Sequence, residues 1–203
     1  MVKKTKKTKS APKRVGPLTT TKKAKSASPA KSKPKRLAAS KGLPTDSTGL
    51  KNSNAPDFSL LSEAGKLRLS DFLGKKNVVL FFYPRDNTSG CTREACDFAE
   101  HKARFDSTDT VVLGISPDSV DSHIRFREKF NLNFTLLSDP NSTIAKTWGA
   151  WGHKSLYGKK YQGIIRSTFL IDKDGHVAKT WHKVRVNGHC SDVLREVLNL
   201  NAN

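Results

Sequence analysis

The sequence predicts an α/β fold: a central mixed β-sheet flanked by helices, preceded by a disordered basic tail. Three observations predict it. Of the 203 residues, the first 50 carry 15 of the 37 Lys and Arg but one acid, Asp46, while every aromatic residue and all three cysteines lie after residue 50. Residues 77–83 form a continuous apolar, β-rich run, as in a strand covered on both faces. From there strand-like and helix-like segments alternate, which gives a layered sheet-and-helix architecture. The chain divides into a tail, residues 1–50, and a domain, residues 51–203. A domain of that length buries roughly 70% of the surface its unfolded chain exposes, enough for a core without staples.

The elements follow in order. Phe58-Ser59-Leu60-Leu61 and Leu67-Arg68-Leu69 are short alternating runs around a Gly65-bearing turn, a hairpin. Residues 111–116 and 165–171 repeat the buried-strand character of 77–83. Helical periodicity covers 92–106, 119–130 and, more briefly, 142–148, with a further strand between the last two. Asp172-Lys173-Asp174-Gly175 is a turn that leads into a strand at 176–182. A final helix spans 192–200, with Ser191 as its N-cap. No internal repeat is present.

The tail contains five of the nine prolines and no Ile, Phe, Trp or Tyr. Low hydrophobicity with high net charge cannot offset the entropy of ordering a chain, so disorder is expected. Lys3-Lys4-Thr5-Lys6-Lys7-Thr8-Lys9 and Lys31-Ser32-Lys33-Pro34-Lys35-Arg36 are runs of the kind that direct nuclear import or contact polyanions. The Lys/Ala/Pro/Ser composition is similar to the tails of linker histones. Any DNA contact through residues 1–50 would be to phosphates, non-specific and steeply salt-dependent. A nuclear location is expected, a cytoplasmic or plastid one being the alternative. The longest strongly apolar run, Val78 to Phe82, is far short of the roughly 20 residues that span a bilayer, so no membrane association is expected. Three cysteines are an odd number and do not make a secreted disulfide framework, which points to a reducing compartment.

The chemistry concentrates at Pro84-Arg85-Asp86-Asn87-Thr88-Ser89-Gly90-Cys91-Thr92-Arg93-Glu94-Ala95-Cys96. Cys91 falls after the carboxyl end of a central strand and near the start of a helix, where open α/β sheets bind ligands. Unpaired N–H groups and the helix dipole there favour a thiolate. Lowering a thiol pKa from about 8.5 to about 6 needs roughly 3.4 kcal/mol, of which a helix terminus supplies about a third. A cation is therefore required, and an arginine from elsewhere in the fold is better placed than Arg93. On an unbroken helix the Cα atoms of Cys91 and Cys96 lie about 8.6 Å apart. A disulfide needs less than about 7 Å, so the pair can bridge only after local unwinding. The C-x4-C spacing is neither that of a zinc site nor the C-x-x-C of a dithiol reductase. The cysteine spacing by itself leaves a structural thiol open. The histidines share no usable ligand spacing, and His101 and His123 read as ordinary surface or helix residues. Trp148, Trp151 and Tyr157 read as core or rim packing.

Pro84-x3-Thr88-x2-Cys91 after an apolar strand resembles the active-site signature of peroxiredoxins, and Cys96 has the placement typical of the peroxiredoxin Q, or bacterioferritin comigratory protein, subfamily. The likeness continues through Val112–Ser116, Asn133–Asp139, Trp151-Gly152 and Gly163–Asp172, and so covers nearly all of residues 55–200. Ser89 departs from the proline found there in many relatives. The resemblance implies a thioredoxin-like fold and a peroxidase that reduces hydrogen peroxide and alkyl hydroperoxides. It implies Cys91 as the peroxidatic cysteine and Cys96 as the intramolecular resolving one. Thr88 would hydrogen-bond thiolate and peroxide, Pro84 would shape the loop, and Arg166 would be the invariant arginine, hence the missing cation. It further implies recycling by thioredoxin or a similar dithiol, no metal or organic cofactor, and a monomer. A basic extension fits the fungal nuclear branch of the same subfamily. A rival assignment makes Cys190 an intersubunit resolving cysteine. A rival function is a chromatin-associated redox sensor or scaffold with little turnover.

Overall fold

The computed structural model describes residues 49–202 apart from Tyr157; the tail reading, the packing expected of Tyr157 and all but the last two residues of the 1–50 segment lie outside the described residues. Among the described residues nine strands and five α-helices follow one another. Strands β1 (Ser59–Ser62) and β2 (Gly65–Arg68) form the expected hairpin, followed by a single 3-10 turn at Leu69–Phe72. Then come β3 (Asn77–Phe82), α1 (Ser89–Glu100), α2 (Lys102–Asp106), β4 (Thr110–Ser116), α3 (Val120–Phe130), β5 (Thr135–Ser138) and α4 (Thr143–Thr147). The chain ends with β6 (Trp151–Leu156), β7 (Lys159–Ile164), β8 (Ser167–Ile171), β9 (Val177–His182) and α5 (His189–Asn201).

Seven strands make one mixed sheet in the order β2-β1-β5-β4-β3-β8-β9. The central β3 runs parallel to β4 and antiparallel to β8. All six β3 residues are buried, and the two-residue period divides them. Val79 and Phe81, with Tyr83 just beyond the strand, face a core built with Cys91, Ala95 and Phe98 of α1, Phe126 of α3 and Val193 and Val197 of α5. Val78, Leu80 and Phe82 face a second core with Trp148, Phe169, Ile164 and Phe58. The unbroken apolar run is thus a strand sandwiched between layers, as its composition predicts. Trp148 is fully buried in the second core, and Trp151 packs against it.

At Gly114 of β4 the layers close tightly. A β-carbon there would sit 2.7 Å from both Leu136 Cδ2 and Phe81 Cζ. Both neighbours are buried and cannot swing aside. Gly114→Ala should therefore cost about 1–3 kcal/mol through overpacking, read as a lowered thermal unfolding midpoint.

Several elements differ from the sequence expectation. The helix expected at 92–106 starts at Ser89, so Cys91 is its third residue, and it breaks at His101, where ψ rises to 2° before α2 begins. The strand expected at 165–171 begins at Ser167, which leaves Arg166 in the connection before it and not inside the strand. The last helix starts at His189, capped by Gly188 at φ 77°, a left-handed conformation that glycine adopts without a Cβ penalty; Ser191 lies inside the helix. The hairpin of β6 and β7 is an addition. Its strands, Trp-Gly-His-Lys-Ser-Leu and Lys-Lys-Tyr-Gln-Gly-Ile, pair with each other and belong to neither edge of the main sheet. Trp151 and Ile164, paired at its base, meet the core, while the described residues His153, Ser155 and Tyr161 give it no apolar alternation to read.

Candidate active site

The carboxyl end of β3 leads through residues 83–88 into α1. Thr88 is the residue before the helix, and its carbonyl accepts the Thr92 N–H at 2.8 Å. Two residues into the helix Cys91 turns inward and is almost wholly buried. Its Sγ receives a hydrogen bond from Arg166 Nη2 at 3.1 Å. Arg166 reaches it from the connection between β7 and β8, where Val184 N donates to its carbonyl. The other terminal nitrogen, Nη1, is paired with Glu94 Oε2. Glu94 stands one turn along α1 from Cys91, on the same face. One planar guanidinium thus spans a thiol and a carboxylate, a use of the fixed fork of donors that lysine could not reproduce.

Burial dominates the electrostatics of Glu94. Desolvation pushes its carboxyl up to about 7 even though Arg166 pulls the other way, and its second oxygen, Oε1, is buried without a hydrogen bond. For Arg166, burial alone would weaken the charge, but Glu94 and then Cys91 more than reverse that and raise its pKa. Between pH 4.5 and about 7 the folded chain holds a proton on Glu94 that the unfolded chain has released. Stability should then fall as pH rises through that window, on the order of 1–3 kcal/mol from this group. Glu94→Gln should flatten this slope, measured as urea midpoints at pH 5 and pH 8.

Cys96 is half-buried on the same helix, and its thiol is raised above the ordinary value by burial and then by Asp97. All three cysteines are free thiols. The unbroken helix through residues 91–96 keeps Cys91 and Cys96 beyond disulfide reach, as the spacing argument predicts. Thr88 is not brought to the sulfur: its Oγ1 donates to the Arg85 carbonyl at 3.1 Å. Pro84 sits half-buried in the loop after β3. Arg93 points to the surface and donates to Asn187 Oδ1 at 3.0 Å.

Residues 52–180 match the AhpC/TSA family. The peroxiredoxin Bcp of Bacillus subtilis is 47% identical over 142 residues, 70% of this chain and 90% of that protein. The chain belongs to the AhpC/TSA family of peroxiredoxins. A Coxiella burnetii relative of the Bcp type is 46% identical over 140 residues, covering 69% of this peroxiredoxin and 93% of its relative. Among solved structures, peroxiredoxin Q of Xanthomonas campestris superposes with a TM-score of 0.67 at 36% identity, over 71% of this chain and 91% of that one. A second structure from that organism, its bacterioferritin comigratory protein in trapped intermediate and ligand complexes, bears on alkyl peroxide reduction; it matches with the same TM-score, 0.67. Peroxidoxin BcpB of Mycobacterium tuberculosis matches at 0.65 with 33% identity, over 73% of this chain and 96% of that one. The fold is accordingly thioredoxin-like, and this peroxiredoxin is a thiol peroxidase, an oxidoreductase.

Sequence reasoning missed several residues in this peroxiredoxin. Glu94 could have been found, since three residues after Cys91 an acid must share its inward face. Lys154 lies on the unexpected hairpin, where its Nζ donates to the Ile164 carbonyl, 2.9 Å away and two residues before Arg166. His123 is a helix residue as read, but it is fully buried and not on the surface. Its Nδ1 lies 3.0 Å from Asp86 Oδ2. The signal was its position one turn before Phe126, on the buried face of α3. His189 is buried as well, its Nε2 2.8 Å from Thr168 Oγ1, and burial pulls it down to about 4, so it is neutral at pH 7. His176 groups with Asp172 and Asp174 in the β8–β9 turn, against the absence of ligand spacing read from the sequence. Asp172 Oδ1 is already committed there to the His176 N–H at 2.8 Å, the bond that forms the turn.

Proposed function

We propose that this peroxiredoxin reduces hydrogen peroxide and alkyl hydroperoxides with Cys91 as peroxidatic and Cys96 as resolving cysteine. The observation that carries the reading is the contact of Arg166 Nη2 with Cys91 Sγ at the first turn of α1. A thiolate held by a guanidinium is both stabilised and aimed, and the same donors can receive the charge that develops on the departing oxygen. The Cys91 thiolate attacks the distal peroxide oxygen. The O–O bond breaks, sulfur is oxidised by two electrons to sulfenic acid, and the leaving oxygen takes a proton to become water or an alcohol. The first turns of α1 then unwind. Cys96 sulfur displaces the hydroxyl of the sulfenic acid as water and a disulfide forms. Thioredoxin or a similar dithiol restores both thiols by exchange. Thr88 serves the peroxide once its hydroxyl leaves the Arg85 carbonyl, a rotation about one side-chain bond, and Pro84 shapes the loop.

The test is thioredoxin-coupled peroxide turnover. Cys96→Ser should retain the first reaction with peroxide and lose sustained turnover, while Cys190→Ser should retain both. Loss at Cys190 with Cys96 dispensable would make Cys190 the resolving residue of a dimer and overturn the monomeric, intramolecular reading. The charge of the first 50 residues supports a nuclear location and non-specific contact with DNA or another polyanion. Retention on DNA should fall by about 0.9 log units per log unit of salt for each phosphate neutralised. A chain lacking residues 1–50 that still accumulated in nuclei would remove that part of the reading. Sustained turnover also decides against the alternative of a chromatin-bound sensor.

A further inference from the structure

The loop that delivers Cys91 is fastened at its other end by a buried polar cluster to which the reaction assigns no part. Asp86, almost wholly buried, accepts hydrogen bonds on both carboxylate oxygens: Tyr83 Oη donates to Oδ1 at 2.8 Å, and Ser122 Oγ donates to Oδ2 at 2.7 Å, with His123 Nδ1 3.0 Å from Oδ2. Its backbone N–H donates to Asp118 Oδ2 at 2.8 Å, and that oxygen also accepts from Ser116 Oγ at 2.7 Å. The loop is thereby bonded to α3 and to the connection between β4 and α3. Burial alone would raise the Asp86 carboxyl, but the bonds with His123, Ser122 and Tyr83 hold it below its ordinary value. His123 Nε2 is buried with no hydrogen bond, a cost that apolar packing would have avoided. The next residue, Asn87, has φ 58°. That backbone turn is uncommon for a side chain other than glycine, and it stands between the fastened Asp86 and Thr88, the residue before α1.

We propose that Asp86, with Tyr83 and His123, is a positioning device that fixes the amino-terminal limit of the segment that unwinds, at Asn87, and biases the start of α1 toward its packed form. This rests on the assignment of Cys91 and Cys96 above. The packed form holds Cys91 on Arg166 and out of reach of Cys96. It therefore favours attack on peroxide, and it also leaves the sulfenic acid open to a second peroxide, which would add another oxygen to give sulfinic acid and be reduced to water or alcohol. The unwound form does the opposite, since Cys96 captures the sulfenic acid. The anchor holds in both forms, so it limits the chain entropy gained on unwinding and shifts the balance toward the packed form. Loosening the anchor should slow the first step and protect against overoxidation together.

The experiment uses the full chain. Asp86→Asn breaks the charge-assisted bonds, His123→Leu removes one donor while keeping the bulk, and His123→Asn restores a nitrogen near the Nδ1 position. Val193→Ala, in the same apolar core but on α5, serves as a control for lost stability alone. The readouts are the single-turnover rate with hydrogen peroxide and the sulfinic acid fraction after a peroxide pulse, from the two added oxygens in the intact mass. Asp86→Asn and His123→Leu should each slow attack about 3-fold to 10-fold and lower the sulfinic fraction at a given peroxide dose by a similar factor. His123→Asn should lie near the parent, and Val193→Ala should move neither readout. A slower attack with an unchanged or raised sulfinic fraction would overturn the proposal, as would behaviour matching Val193→Ala. Tyr83→Phe, which removes one hydroxyl, applies the same criterion if Asp86→Asn does not fold. Peroxide consumption that survives in Cys91→Ser would instead overturn the underlying cysteine assignment, a result the anchor variants cannot mimic.

Discussion

Replacing Cys91 with Ser is expected to abolish peroxide reduction, a loss of at least about 10³-fold in kcat/KM. A hydroxyl differs from a thiol by one atom and fits the same space, so the fold should be kept. The chemistry should not be. Serine is a poor nucleophile at its free pKa, and the side chain hydrogen-bonded to this position among the described residues, Arg166, is a donor only and cannot act as a base. The measurement is the initial rate of peroxide loss with reductant in excess, accompanied by circular dichroism of the variant. Activity above a tenth of the parent would remove Cys91 from the reaction.

Arg166→Met should be the next most damaging change, about 10²-fold to 10³-fold in kcat/KM, the scale on which loss of one preorganised donor to developing charge is felt. Stability must be separated from chemistry here. Removing the guanidinium leaves Glu94 buried beside an apolar side chain, and breaking one half of a buried ion pair costs about 3–5 kcal/mol. The double variant Glu94→Gln with Arg166→Met removes both charges and should recover most of that stability. It should recover none of the activity. If the double variant regained peroxide turnover, the role of Arg166 would be to neutralise Glu94 and not to serve the Cys91 sulfur. Arg166→Lys should fall between, since an ammonium group can reach one partner but cannot bridge two.

The fold was legible where a single strand or helix has a one-dimensional signature. The apolar run at 77–83 announced a strand with both faces covered, and the two-residue period divides its side chains between two cores. Cys91 was legible as a thiol between strand end and helix start because both neighbours were. What local pattern does not carry is partner choice across long separations. Glu94 and Arg166 are 72 positions apart, and Asp86 and His123 are 37 apart. Each side chain alone resembles a surface group, and only the packing of α1 and α3 against the sheet turns the pairs inward. Arg166 was found through resemblance to a family, because nothing in its own surroundings singles it out. The β6–β7 hairpin escaped for another reason: two strands that pair only with each other, off the main sheet, need no apolar face.

Cys190 illustrates what such packing does for fidelity. A chain that makes sulfenic acid on one of its three cysteines can join it to the wrong thiol. Cys190 is buried where α5 meets α1, its Sγ donating to the Asp97 carbonyl at 3.3 Å, and burial pushes the thiol up to about 12. At pH 7 very little of it then carries the thiolate that attacks a sulfenic acid or a disulfide. Mispairing is held back by ionisation, a safeguard that rests on the packing of α5 against α1. Resistance to scrambling is therefore a readout of how often that helix pair opens, so alkylation of Cys190 under native conditions would count those openings directly.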